Sequence, residues 1–198
     1  MKGTDEMARP KADPDVSPAK ERIRTSFWNI LEADSYDQVT IKRLCKEAEI
    51  NHKTIYYYFE NVDSMAERFF SEDVEDSGMD RFLYLLLNTS PMPAEEERKL
   101  LETPSGRIWL YARGDSPYLM SIIKQHMEDF WLFSVGLMRE MLDDGSLFRL
   151  DTVFITIASL LGRAMERKDP HLAVELMESE FGAGIKNTLA SIAGRKAF

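Results

Sequence analysis

A tyrosine-rich segment, residues 51 to 59, holds the residues whose types and spacing are chemically the most informative. It reads Asn-His-Lys-Thr-Ile-Tyr-Tyr-Tyr-Phe. With 3.6 residues per helical turn, Ile55 and Phe59 fall on one face of a short helix, which leaves the other large side chains outside: His52, Lys53, Tyr56 and Tyr57. Hydroxyl groups, lysine and helix N-terminal amides are groups that bind phosphate oxygens. The segment therefore indicates a partner that carries phosphate groups.

Enzyme chemistry is not indicated by the sequence. It contains no nucleophile–base pair, phosphate-binding glycine loop or set of metal ligands, and we predict no catalytic residue, metal or cofactor. The one cysteine, Cys45, lies on an apolar stripe and is interpreted as a core residue rather than a redox sensor. His126 has no second ligand one turn away, so we interpret it as a surface or pocket-wall residue rather than a metal ligand.

Composition and charge narrow the classes of partner. The 198 residues are 44% hydrophobic, which is enough for a sizeable core, and carry a net charge of −9. That charge disfavours non-specific attachment to nucleic acid or anionic lipid, yet residues 40 to 59 contain four lysines and arginines against two glutamates. The longest uncharged stretch, residues 82 to 94, has 13 residues, so we expect no membrane association, and we expect a cytoplasmic protein.

Four helix starts position the tyrosine-rich segment. Ser17-Pro18 predicts a helix that ends near Ala33, and Thr40, Asn51 and Asn61 predict the N-caps of three more. The second and third helices are short and joined by a tight turn, which is the plan of a helix-turn-helix whose second helix enters the DNA major groove. Such a pair also occurs in any helical protein, and the local basic excess and exposed tyrosines favour DNA binding.

Residues 18 to 70 resemble the N-terminal DNA-binding domain of the TetR family of bacterial transcription regulators. The resemblance is carried by T-I-x-x-L-C-x-E-A-x-I in the second helix and T-I-Y-Y-Y-F in the third. It implies phosphate contacts from Thr40, Thr54 and Tyr56 with Tyr57 nearby, and base contacts from His52, Lys53 and Lys42, with Asn51 at the start of the recognition helix. The sequence departs from the family at Glu49, where glycine is common, and at Val62, where a phosphate-binding lysine is frequent.

The rest of the chain reads as helical, so we predict an all-α fold. We expect a flexible tail (residues 1–16), a helix-turn-helix domain (17–62) and a helical domain for ligand sensing and dimerisation (63–198). Further helices are predicted near 62–76, 79–88, 94–102, 105–113, 117–143, 150–168 and 170–193. Tyr58 is interpreted as packing on the first helix rather than touching DNA.

The second domain suggests two further sites. Aromatic and methionine side chains between residues 80 and 140 are either core or the wall of a small-molecule pocket, for which we select Trp109, Arg113, His126, Phe130 and Trp131. Two apolar stripes on the last helices serve either one monomer core or, as in the family, a dimer interface. The residues predicted for that interface are Phe154, Ala158, Gly162, Met165, Met177, Phe181 and Ile185.

Together these features predict a ligand-responsive, homodimeric transcription regulator, a repressor that a small molecule releases from a double-stranded DNA operator. The alternative is a TetR-like coactivator or adaptor that acts through protein contacts without operator binding. Glu49, Val62 and the negative net charge motivate that alternative.

Overall fold

The fold is all-α in the computed structural model, which describes residues 17–87, 104–167, 169 and 171–194. The α-helices are α1 (Pro18–Ala33), α2 (Ile41–Glu47), α3 (His52–Tyr58), α4 (Val62–Val74), α5 (Met79–Leu87), α6 (Pro117–Val135), α7 (Asp144–Glu166), α8 (His171–Glu178) and α9 (Glu180–Ile192). Short 3-10 helices lie at Tyr36–Gln38, Glu75–Ser77 and Arg139–Met141, and a longer one lies at Pro104–Ala112.

Each of the first four helices begins at its predicted capping residue. The side-chain oxygens of Ser17, Thr40, Asn51 and Asn61 accept hydrogen bonds from backbone N–H groups two or three residues ahead, at 3.3, 3.2, 2.9 and 2.7 Å. Such caps satisfy donors that have no partner inside the helix and stabilise it by about 1 kcal/mol each. The N-terminal part of the fold is therefore set largely by local sequence.

One continuous core joins the helix-turn-helix to the rest of the chain. Ile23, Phe27 and Leu31 of α1 are fully buried. The Phe27 ring meets Phe69 of α4 at a centroid distance of 5.2 Å, and Trp28 lies 5.7 Å from Tyr111 of the long 3-10 helix. Each of these large side chains contributes roughly 1.5–3 kcal/mol by leaving water, so α1 is held on two sides.

The C-terminal elements differ from the prediction at their ends. Residues 105–112 of the predicted α-helix 105–113 belong to the 3-10 helix Pro104–Ala112, and Arg113 follows it. The predicted helix 94–102 lies outside the described residues. The predicted helix 117–143 ends at Val135, because Gly136 adopts φ 74°, a left-handed conformation that terminates helices.

The last two predicted helices are also reorganised. α7 begins at Asp144 rather than near residue 150, since the Asp143 carboxylate accepts from the Ser146 N–H at 2.6 Å and the Asp-Asp-Gly sequence starts the helix instead of breaking it. The predicted helix 170–193 is divided into α8 and α9 at Ser179, whose hydroxyl caps α9 by accepting from Phe181 N–H at 3.2 Å.

Most residues predicted for the dimer interface are buried within the single chain. Phe154 and Ala158 are fully buried, and Met177 and Ile185 are nearly so. A Cβ on Gly162 would lie 1.8 Å from the carbonyl oxygen of Ala112. Phe154, Ala158 and Gly162 therefore pack α7 within the single chain, which is the alternative of a monomer core for these three residues. Phe181 alone of the set is 49% exposed, and the Met165 side chain lies outside the described residues.

One described helix passes a length-and-composition test for membrane spans. Asp144–Ala164 of α7 reaches a mean hydropathy of 1.3 over 18 residues. The inward face of the same helix packs on α6 and on the long 3-10 helix through Leu150, Phe154 and Leu161. A central core helix reaches this composition for packing reasons, and the test is weak evidence for a span.

Candidate nucleic-acid interface

Helix α3 is held by two buried side chains on one face. Ile55 is fully buried and Phe59, at the end of the helix, is 4% exposed. The Phe59 ring contacts Phe69 of α4 edge-on at 5.2 Å. The predicted inward face of α3 is thus confirmed, and its orientation is fixed by packing against α1, α2 and α4.

The opposite face of α3 is open to solvent. Tyr56 is 57% and Tyr57 70% exposed, and His52 and Lys53 are exposed beside them. Two adjacent tyrosines at this exposure are unusual on a surface that only meets water, because each leaves a large ring unburied. The four side chains form the tyrosine face, the name used below for His52, Lys53, Tyr56 and Tyr57.

The two residues at the start of α3 are linked to each other. Asn51 Oδ1 accepts from the Thr54 N–H at 2.9 Å and from the Thr54 hydroxyl at 3.1 Å. The Thr54 oxygen keeps its acceptor capacity, while its proton is already directed to Asn51. Phosphate contact by Thr54, as the family resemblance implies, would require this hydroxyl proton to be redirected.

Tyr58 serves packing. Its hydroxyl donates to Ser17 Oγ at 2.6 Å, and its ring meets that of Tyr57 in an edge-on contact at 4.9 Å. The bond ties the end of α3 to the residue that caps α1, so Tyr58 has the structural role expected from the sequence.

The basic residues around α2 divide into paired and unpaired groups. Arg43 Nη1 lies 2.7 Å from the Asp34 carboxylate, and its Nε donates to Glu47 at 3.0 Å. These two carboxylates hold the pKa of Arg43 above its ordinary value. By contrast, Lys42, Lys46 and Lys53 make no ion pair with any residue that the structure describes. The lysines, not the arginine, are the charges available to a phosphate.

The turn between α2 and α3 keeps the shape expected of glycine although residue 49 is glutamate. Glu49 adopts φ 53°, the left-handed conformation, and the Ile50 N–H donates to the Cys45 carbonyl at 3.1 Å. This is the hydrogen bond of a helix terminus in which the residue after the cap is left-handed. A non-glycine residue there costs about 1–2 kcal/mol, so the turn is retained at an energetic cost.

Val62, the second departure, packs against the core. It is the first residue of α4 and half-buried. The next residue, Asp63, accepts from the Tyr36 hydroxyl at 2.6 Å. The start of α4 therefore presents a helix N-terminus without a lysine beside it, and only backbone amides remain there for an anion.

Cys45 and His126 have the structural environments expected from the sequence. Cys45 is 9% exposed, and burial raises the pKa of its thiol, which lowers the fraction of reactive thiolate. His126 Nε2 lies 2.7 Å from the Asp80 carboxylate and its ring meets Phe70 at 5.5 Å. The described residues contain no group of three side chains that could hold a metal ion.

The five residues predicted to line a ligand pocket lie along the long 3-10 helix and α6. Trp109 packs edge-on against Phe82 at 5.9 Å, Trp131 meets Phe154 at 6.2 Å, and Phe130 packs against the core. The guanidinium of Arg113 donates to the Leu31 and Asp34 carbonyls at 2.7 and 3.2 Å. These four of the five residues thus make packing or hydrogen-bond contacts within the chain.

A groove between α7 and α8 was not anticipated from the sequence. Its volume is about 660 Å³, and its lining combines apolar and charged residues: Leu160, Arg163, Ala164, Glu166, Arg167, Leu172, Glu175, Leu176 and Ser179. The signal that could have found it is a matching i, i+3, i+4, i+7 pattern in the sequence. The pattern comprises residues 160, 163 and 164 at the end of α7 with 167 just after it, and residues 172, 175 and 176 on α8 with 179 just after it. The groove lies between these two helices, and both contribute leucines and charged residues to its lining.

Comparison with protein families gives one match. Residues 28–69 match the model described as bacterial regulatory proteins, tetR family. Comparison with the curated proteins and with the solved structures gave no match. The matched region runs from the middle of α1 to the middle of α4 and includes the complete helix pair α2–α3. This helix-turn-helix is thus similar to that of the tetR family, and the match implies a DNA-binding transcriptional regulator.

Proposed function

We propose that the protein is a ligand-responsive repressor that binds a double-stranded DNA operator through α3. The observation that carries the proposal is the tyrosine face. It is the exposed side of a helix whose opposite side is buried in the core. Tyr56 and the unpaired Lys42 supply phosphate contacts from α3 and α2, while His52 and Lys53 at the start of α3 reach base edges. This division follows the docking of helix-turn-helix proteins, in which the N-terminal residues of the recognition helix read the major groove.

Selection of bound fragments from the organism's own genomic DNA tests this proposal. A regulator of this kind enriches a small set of fragments that share a sequence with two-fold symmetry. The matched control is the Tyr56→Phe, Lys53→Ala double variant, which keeps the buried face of α3. Enrichment of no shared sequence by the wild-type protein would contradict operator binding.

We propose a homodimer built on faces other than the stripe predicted from the sequence. On α7, Phe148 is 74% and Ile155 43% exposed. These two side chains lie outside the buried stripe of the same helix that contains Phe154 and Ala158. Phe181 at the start of α9 adds a third exposed apolar side chain. A second copy that covers these residues would remove large apolar groups from water, and a two-fold axis would give two recognition helices for half-sites about 34–36 Å apart.

We further propose that the groove between α7 and α8 takes the small-molecule effector. Its volume lies within the roughly 300–1,000 Å³ typical of ligand sites, and leucines line it beside the guanidiniums of Arg163 and Arg167. Binding there would favour one arrangement of the two subunits and shift the population away from the DNA-bound state. A thermal-shift screen of apolar acids and their neutral analogues, run with the wild type and an Arg163→Gln variant, measures this response.

The second candidate is an adaptor that acts through protein contacts. It is favoured by Val62, which leaves the start of α4 without a lysine, and by the cost of Glu49 in a left-handed conformation. The genomic selection separates the two candidates, because an adaptor enriches no sequence. In either case we expect a cytoplasmic protein that does not act as an enzyme.

A further inference from the structure

The turn between α1 and α2 is held by side chains from the C-terminal domain. The α-helix α1 ends at Ala33, and its last turn contains no basic residue. Arg113, which follows the long 3-10 helix, donates through Nη2 to the Leu31 carbonyl at 2.7 Å and through Nη1 to the Asp34 carbonyl at 3.2 Å. These are carbonyls that a helix end leaves without partners, and a cation there also meets the negative end of the helix dipole.

Asp34 continues the connection into the helix-turn-helix. Its backbone carbonyl accepts from Arg113, while its carboxylate pairs with Arg43 of α2 at 2.7 Å. Arg43 is fixed further by Glu47 one turn along the same helix. A continuous set of charge-assisted contacts thus runs from the end of the 3-10 helix through one residue to α2.

A pair of tyrosines makes a second connection at the same turn. Tyr36, in the 3-10 turn after α1, stacks on Tyr118 at the start of α6, with ring centroids 6.1 Å apart and planes at 22°. The Tyr36 hydroxyl donates to Asp63 at 2.6 Å, and the Tyr118 hydroxyl donates to Glu67 at 2.8 Å. Asp63 and Glu67 are one turn apart on α4, so the cluster joins three elements.

The two tyrosines of this cluster both have raised pKa values. Burial, reinforced by the bond to Asp63, raises the pKa of Tyr36 above its ordinary value. Burial and the bond to Glu67 raise the pKa of Tyr118 in the same way. Both phenols therefore remain protonated donors throughout the neutral range.

We propose that Arg113 and Tyr118 are positioning residues that set the orientation of α2 and α3 by holding the α1–α2 turn. The chain itself links the helix-turn-helix to the later helices through α4, and Trp28 of α1 packs against Tyr111. Arg113 and Tyr118 add contacts at the α1–α2 turn itself. A displacement at the start of α6 would be passed to the turn and to α2 through Asp34 and Tyr36. The expected effect on DNA affinity rests on the proposed function. The orientation of α2 and α3 can be measured without DNA.

The first experiment measures the distance between α3 and α6 by electron–electron spin resonance. Spin labels are placed at the exposed positions Lys53→Cys of α3 and Gln125→Cys of α6 in a Cys45→Ala background. Labelled chains are diluted with unlabelled ones so that distances within one chain are recorded. We compare Arg113→Met and Tyr118→Leu, which removes the ring that stacks on Tyr36, with the parent protein. Arg149→Met is the matched control, since its guanidinium also donates to a backbone carbonyl, Gly145 at 3.3 Å, but within its own helix.

We expect a shifted or broader distance distribution in both variants and an unchanged one in the control. Arg113→Lys, which can still donate to one carbonyl, should restore part of the parent distribution. If Arg113→Met does not fold, Tyr118→Leu decides alone, because it removes a half-buried ring and leaves an apolar side chain against the core. Distributions equal to that of the parent in all folded variants would overturn the proposal.

The second experiment measures affinity for a DNA fragment obtained by the genomic selection. Both variants should bind it about 2- to 30-fold more weakly, the range spanned by coupling energies between distant sites. Altered distances with unchanged affinity would show that the contacts do not position α3 for DNA. That result would overturn the proposed consequence for DNA binding. If the selection yields no fragment, the proposed function fails, and the distance measurement still decides the positioning role.

Discussion

The carbonyl oxygen of Ala112 occupies the place where a side chain on Gly162 would begin. A Cβ there would lie 1.8 Å from that oxygen and 2.5 Å from the carbonyl carbon. Both atoms belong to backbone, so neither can be moved by a change of rotamer. The close approach fixes the distance between α7 and the long 3-10 helix, and that helix leads directly to Arg113 and α6.

Gly162→Ala should therefore destabilise the folded chain. We expect a loss of about 1–3 kcal/mol or more, because α7 or the 3-10 helix must shift to admit the methyl group. Thermal and urea unfolding measure this loss. The matched control is Gly184→Ala in α9, where a Cβ meets nothing within 4 Å, and where alanine should stabilise the helix by about 0.5–1 kcal/mol. Equal melting temperatures for the two variants would contradict the packing of α7 on the 3-10 helix.

Substitutions on the tyrosine face should separate affinity from specificity. Tyr56→Phe should weaken binding to all sequences by a similar factor, because a phosphate contact carries no sequence information. His52→Ala and Lys53→Ala should instead change which bases are tolerated, at about 1–3 kcal/mol for each base-edge interaction that the substitution removes. Selection from a randomised DNA library, carried out for each variant, measures both effects. The assignment of roles fails if the three specificity profiles coincide.

The dimer should depend on the exposed face of α7. Phe148→Asp combined with Ile155→Asp places like charges on both sides of a two-fold interface, and the side chains are exposed in the single chain, so the fold should persist. Sedimentation of the wild type is expected to give a dimer at micromolar concentration, and that of the variant a monomer. Circular dichroism provides the control for folding. A wild type that sediments as a monomer would rule out this interface.

Acid should weaken the contact between α1 and α4 through Glu72. This carboxylate lies 2.8 Å from Lys20, and 3.0 Å from both Arg24 and Arg68. Burial acts to raise its pKa, but the hydrogen bonds from Lys20 and Arg68 and the nearby charges outweigh burial and lower it. Its contribution to stability is thus present above the pKa of the unfolded chain and is lost as pH falls through the lower folded value.

Glu72→Gln tests that contribution. The variant should lose about 1–3 kcal/mol at neutral pH, as expected for hydrogen bonds to a charged group, and its stability should fall less steeply between neutral pH and pH 3. Urea unfolding across this range gives both quantities. Glu32→Gln, at an exposed position on α1, is the control. If the stability of Glu72→Gln and of the wild type fell equally with pH, Glu72 would be excluded as a cause of the acid destabilisation.

The sequence was informative where structure is decided locally. Ser17, Thr40, Asn51 and Asn61 each form a cap with residues two or three positions ahead, so the helix starts could be predicted without knowing the fold. Arg113 shows the opposite case, since its partners in α1 are 79 and 82 residues away and nothing in its own neighbourhood indicates them. The same reason explains Gly162: a small residue permits close approach, but its pattern does not reveal whether the approaching backbone belongs to the same chain or to another.

The composition of the tyrosine face has a consequence for ionic strength. Each phosphate neutralised by a lysine releases condensed counterions and adds about 0.9 to the slope of log affinity against log salt concentration. A tyrosine hydroxyl donates to a phosphate without neutralising it. Val62 stands where the family frequently has a phosphate-binding lysine, so that cation is missing as well. With Lys42, Lys46 and Lys53 as the cations of α2 and α3 that are unpaired among the described residues, operator binding should depend only shallowly on salt. The complex should then persist at salt concentrations that dissociate helix-turn-helix proteins with more lysines at the interface.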